Sequence, residues 1–247
     1  MKNFFFFCFV LLVAATPVRG EILEELWNKY VPPEATMLKP KPAATPGRLL
    51  GTVTPEREKD FIRPWRYRDI TYELHFETPL ALARTVYSLA LHAQDVDKSL
   101  PLEKFLNGVL GYHYGTRQIC DWINDTVANK FPAAELDEYA LLGMLLKDAV
   151  ITIRNGIFVP AGKITHVLAA APGKNRTFAV NLRHERLHCY WDEDREFRDK
   201  AQAQWNALSE AERADAVSKL GRYAQGNKNQ LLEEWAVHQS ELSKTDM

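Results

Sequence analysis

The run His184-Glu185-Arg186-Leu187-His188 limits this chain's choices more than any other five residues. Residues four apart lie one above the other on a single face of an α-helix. The two imidazoles can therefore work together if Asn181 to Asp194 is helical. Two histidines do not complete a metal site, so a further donor has to be delivered by folding. The motif thus predicts a helix packed closely against another element that carries an acid.

The rest of the chain can supply such a fold. It has 247 residues, 46% of them hydrophobic and 26% charged, enough for one good-sized domain with a real core and unlike a disordered chain. Formal net charge is −1, with no large basic block, which argues against nucleic acid as a partner. The first twenty residues, MKNFFFFCFVLLVAATPVRG, read differently from the rest. Lys2 precedes an apolar run from Phe4 to Ala15, too short to span a bilayer comfortably, and small residues follow. This is the pattern of a secretory signal peptide cleaved after Gly20. The expected product is secreted or periplasmic, with no stable membrane insertion after cleavage. Cys120 and Cys189 would remain, and an even pair in an oxidising compartment suggests a disulfide, with two buried thiols as the other outcome.

Three segments are expected: a signal peptide over 1–20, a short helix and proline-rich arm over 21–68, and a folded domain over 69–247. Five prolines between Val31 and Arg48 prevent regular structure in the arm. Residues Asp69 to Thr78 alternate Ile70, Tyr72, Leu74 and Phe76, predicting a strand with one buried face. Helical periods follow over Pro79–His92, Leu100–Leu110, Tyr114–Phe131 and Glu135–Leu146. Two β-branched runs within Ala149–Ala170 flank Asn155-Gly156, a strong hairpin signal. Arg176–Leu182 reads as a third extended run leading into the motif. Beyond it, Trp205–Leu220 is predicted helical, with Ser209 and Glu212 forming a capping box, and Gln230–Leu242 is the last helix. The predicted class is α+β: mostly helical, with a small antiparallel sheet preceding the motif helix.

The chemistry follows from the spacing. His184 and His188 can hold one zinc ion, which lowers the pKa of its water toward 7. Glu185, beside the first histidine, can take that water's proton as general base. For the third ligand, Asp192 lies on the same helix and would crowd one side of the ion. Glu233 and Glu234 on the last helix remain. Glu233 lies beside Ala236, Val237 and Ser240, which would permit close helix approach, whereas Glu234 shares a face with His238 and Glu241 that looks more exposed. Glu233 is therefore preferred, with Glu234 the alternative. His166 reads as structural, and His75, His92 and His113 have no usable partner spacing. Tyr112, Tyr114 and Trp122 read as core, as do Tyr190 and Tyr223.

His184, Glu185 and His188, with a glutamate on a later helix, resemble the zincin metallopeptidases of the gluzincin group over about residues 150 to 242. Glu233-x-x-Ala236 is similar to that group's third-ligand segment. The resemblance implies a zincin-like catalytic domain, a Zn2+ cofactor and hydrolysis of a peptide or protein substrate. It also implies an edge strand beside the motif helix lining the substrate cleft, a place the Ala149–Leu182 region would fill. Arg186 departs from the family's usual pattern, in which the two positions between Glu and the second His are uncharged. That departure motivates the alternative: an exported, non-catalytic zinc-binding protein that serves interaction or assembly.

Overall fold

The computed structural model describes residues 49–52, 65–96, 102–106, 108–128, 136–220 and 228–243. The expected signal peptide, nearly all of the segment from 21 to 64, and Tyr223 lie outside the described residues. The described elements are β1 (Leu49–Thr52), a 3-10 turn (Arg68–Ile70), β2 (Thr71–Phe76), α1 (Pro79–Ala93), α2 (Leu102–Leu106), β3 (Gly111–Gly115), α3 (Thr116–Val127) and α4 (Leu136–Lys147). They continue with β4 (Ile151–Arg154), β5 (Ile157–Pro160), β6 (His166–Ala170), α5 (Phe178–Glu193), α6 (Arg195–Ala207), α7 (Glu210–Lys219) and α8 (Lys228–Ser243). The class is α+β. No described helix is long and apolar enough to cross a membrane.

One four-stranded sheet, in the order β1-β2-β6-β3, organises the molecule. It is mixed where an antiparallel sheet was expected: β2 and β6 run parallel, while β1 and β3 pair antiparallel to their neighbours. The long chain excursion between β2 and β6 allows this, since parallel strands need a crossover and cannot be joined by a tight turn.

Alternation along the strands divides the sheet into two faces. Tyr72, Leu74 and Phe76 of β2, Val167 and Ala169 of β6, and Tyr112 and Tyr114 of β3 bury themselves in the main core with α1, α3 and α4. The opposite face carries Thr71, Glu73 and His75, which pair in register with His166, Leu168 and Ala170, and then Gly111 and His113 of β3. Helix α5 covers that second face. Phe178 and Leu182, four apart, pack on Leu168 and Ala170.

The polar face of β2 is thus buried as well, although the alternation predicts one buried side. Each polar group there has a partner, which is what burial requires. Trp65 Nε1 donates to Thr71 Oγ1 at 2.9 Å. Arg186 grips Glu73 with two bonds, of 2.7 and 2.6 Å. His75 packs on Phe178, ring centroids 4.0 Å apart.

The Asn155-Gly156 hairpin forms as β4 and β5, with φ of 53° and 76° at the two turn residues. It makes a separate two-stranded sheet against α3, pinned where the Asn124 amide exchanges bonds of 2.9 and 2.8 Å with the Phe158 backbone. Arg176–Leu182 is not a strand. The Thr177 hydroxyl accepts from Val180 N and starts α5 at Phe178, one turn and more before the motif. β3 falls where the helical readings to Leu110 and from Tyr114 nearly meet, and the glycines at its ends hid it.

Cys120 and Cys189 are both buried and free. Cys120 faces the main core from α3, and Cys189 lies on α5, so the sheet separates them. Burial pushes the Cys120 thiol up to about 11, and also raises that of Cys189.

Candidate metal centre

Helix α5 holds its motif by three anchors. Phe178 and Leu182 seat it on the sheet, and the Asn181 amide donates to Ala171 O at 2.7 Å. Buried Arg186 ties it to β2 through Glu73, with its guanidinium carbon 5.0 Å from the centre of the Trp65 ring. The charged residue inside the motif therefore points into the sheet, not along the face that carries His184 and His188.

On that other face, His184 Nε2 and His188 Nε2 converge to 3.3 Å. Two nitrogens each about 2.0–2.1 Å from a tetrahedral zinc ion stand about 3.3 Å apart, so the rings already have ligand spacing. Glu234 of α8 faces both: Oε1 lies 3.7 Å from His188 Nε2 and Oε2 lies 3.8 Å from His184 Nε2. His184, His188 and Glu234 can share one cation.

Glu233, preferred from the sequence, takes another position. Its Oε1 bonds the far nitrogen of His188, Nδ1, at 2.7 Å. It is partly exposed, while Glu234 is buried. The face of α8 bearing Glu234, Val237 and Glu241 turns inward because its carboxylates meet imidazoles and a guanidinium there. Its polarity had suggested exposure. Glu241 Oε1 lies 3.3 Å from His184 Nδ1 and is also held by Arg176, while its Oε2 lies 3.3 Å from His238 Nδ1. Each of the two converging rings thus has a carboxylate behind it, an arrangement that fixes ring orientation. Sequence reasoning missed Glu241 and Arg176; their positions depend on how α8 docks, which spacing does not encode.

Electrostatics fit two rings that share one positive charge. Burial lowers His184 to about 4. Burial acts the same way on His188, but the Glu233 bond and the charges of Glu234 and Glu185 outweigh it and raise it to about 9. Burial also pushes Glu185 up to about 8, against the pull of His188 and with help from Glu234 and Glu241. The nearby rings of His184 and His238, with the charge of Arg176, hold the Glu241 carboxyl well below the usual range despite its burial.

Glu185 lies against β3. A Cβ added at Gly111 would fall 2.2 Å from Glu185 Oε1 and 2.8 Å from its Cγ, so a glycine is needed for this carboxylate to occupy its place. Both β6 and β3 lie against α5; β6 falls within the expected Ala149–Leu182 region but is an interior strand, and the edge strand is β3, while the hairpin packs on α3.

No protein-family model, curated protein or solved structure matches this chain.

Tyr190 packs with Trp65, Tyr67 and Phe197, consistent with a core role. Tyr112, Tyr114 and Trp122 are likewise buried in the main core. His92 bonds Asp125 at 3.1 Å, away from the centre. His113, His166 and Asp192, which spacing left unconnected, come together beside it.

Proposed function

We infer that the chain is an exported zinc-dependent metallopeptidase that acts on a peptide or protein substrate. The observation that carries this reading is the convergence of His184 Nε2, His188 Nε2 and the Glu234 carboxylate, with Glu185 on the same helix. The donor set, two imidazoles and one carboxylate, suits zinc and is common at hydrolytic sites. His184, His188 and Glu234 would hold the ion, with Glu233 and Glu241 orienting the rings. Zinc bound there supplies a Lewis acid that activates water and polarises a carbonyl. Glu185 takes the proton from the attacking water and returns it to the leaving amine. The closeness of Glu185 to β3, an edge strand, supports this reading, because the gluzincin resemblance implies a substrate-lining edge strand beside the motif helix.

The burial of the centre favours a second reading. Glu185, His188 and Glu234 are each less than one-tenth exposed. A zinc ion this enclosed would also suit an exported protein that holds metal for interaction or assembly and cleaves nothing.

Turnover of a quenched peptide library by zinc-loaded wild type and by Glu185→Gln separates the two. The peptidase reading predicts zinc-dependent cleavage by wild type. It also predicts a loss on the order of 100-fold or more in Glu185→Gln at unchanged zinc content. Fully zinc-loaded wild type without turnover would leave the metal-holding reading instead.

A further inference from the structure

The sheet face beneath α5 carries another cluster, which the centre just described does not use. His113 on β3 and His166 on β6 bring Nε2 and Nδ1 to 2.9 Å. Asp192 Oδ2, from α5, lies 3.6 Å from the first of these nitrogens and 3.8 Å from the second. Both rings are largely buried, while Asp192 is open to solvent.

The backbone dictates this meeting. His113 opposes Leu168 in the antiparallel register, so it shares a face with His166, two residues before Leu168. Asp192 follows His188 by four residues and His184 by eight, extending the same stripe of α5. Glu193 Oε1 bonds the far nitrogen of His166, Nε2, at 2.8 Å, as Glu233 does for His188. With its proton held at Nε2, His166 turns the Nδ1 lone pair toward His113 and Asp192.

We propose that His113, His166 and Asp192 form a second binding site, for a divalent transition-metal ion of the zinc class, that fastens strands β3 and β6 to helix α5. Two imidazole nitrogens and a carboxylate oxygen are donors for such an ion. In the metal-free pair, His113 Nε2–H donates to His166 Nδ1. Binding moves the His113 proton to its own Nδ1, so that both facing nitrogens present lone pairs and the ring stays neutral. A small spreading of the 2.9 Å contact then reaches ligand spacing, about 3.3 Å. The site neighbours the first, because the His113 ring lies parallel to that of His188 with centroids 6.0 Å apart and 8° between planes. The two sites share no ligand.

Zinc titration of the full-length protein by calorimetry, with elemental analysis, tests this. The variants are Asp192→Asn, His166→Ala and Glu234→Ala. Asp192 is exposed enough that its asparagine variant keeps the fold. Wild type should bind two zinc ions per chain. Asp192→Asn and His166→Ala should each weaken or lose one of them, by about 10-fold or more, and Glu234→Ala should lose the other. One zinc that survives Asp192→Asn and His166→Ala but vanishes in Glu234→Ala would overturn this site and leave the first intact. One zinc lost in Asp192→Asn but kept in Glu234→Ala would uphold this site and overturn the first. Two zinc ions untouched by Asp192→Asn and His166→Ala would also overturn it.

Discussion

Arg186 shows how one side chain fixes where a motif sits. A charge between Glu185 and His188 could have faced solvent beside the site. It is instead buried, bonded twice to Glu73 and stacked over Trp65. Removing one partner of a buried pair strands the other charge. Glu73→Gln should therefore destabilise the fold by about 3–5 kcal/mol in chemical denaturation. Glu73→Leu combined with Arg186→Met should recover most of that loss, because a matched apolar pair needs no compensation. A single variant within about 0.5 kcal/mol of wild type, the range of an ordinary surface change, would mean that the pair does not anchor α5.

Between elements, the position of Glu185 depends on the closeness of β3. Gly111→Ala would drive a methyl group into the Glu185 side chain. The expected result is lower turnover with zinc content unchanged, since none of His184, His188 and Glu234 is touched. Loss of zinc together with activity would point to a wider collapse of the face. The elements themselves were unevenly legible. The hairpin at Asn155-Gly156 and the helix over Pro79–Ala93 follow from local rules: a turn that needs two positive φ values, and a Thr78 cap before Pro79. Strand β3 and the start of α5 did not. Five residues bounded by glycines carry too little period, and Thr177 acts as a cap only once α5 exists.

For the molecule as a whole, the sheet separates two environments: an apolar core on one side and a polar, histidine-rich layer on the other. This predicts the cysteine chemistry. Cys120 and Cys189 belong to opposite sides, so both should resist alkylation in the native protein at pH 8 and both should react once it is unfolded. A mass deficit of two hydrogens without reductant would contradict the arrangement. The separation also explains what the sequence concealed. Motif spacing puts two histidines and a glutamate on one helix, but the carboxylate that faces both rings, the acids behind them and the cluster at His113, His166 and Asp192 all depend on tertiary docking. Glu233 and Glu234 are adjacent in sequence, and a rotation of α8 by one residue decides which of them faces both rings.

The zinc content of Glu234→Ala beside Glu233→Ala shows which carboxylate completes the centre on α5. Glu234→Ala should lose one zinc per chain relative to wild type, as His188→Ala should. Glu233→Ala should keep that zinc, bound about 10- to 100-fold more weakly through a less firmly oriented His188. Zinc lost from Glu233→Ala and retained in full by Glu234→Ala would make Glu233 the third donor and overturn the centre at His184, His188 and Glu234.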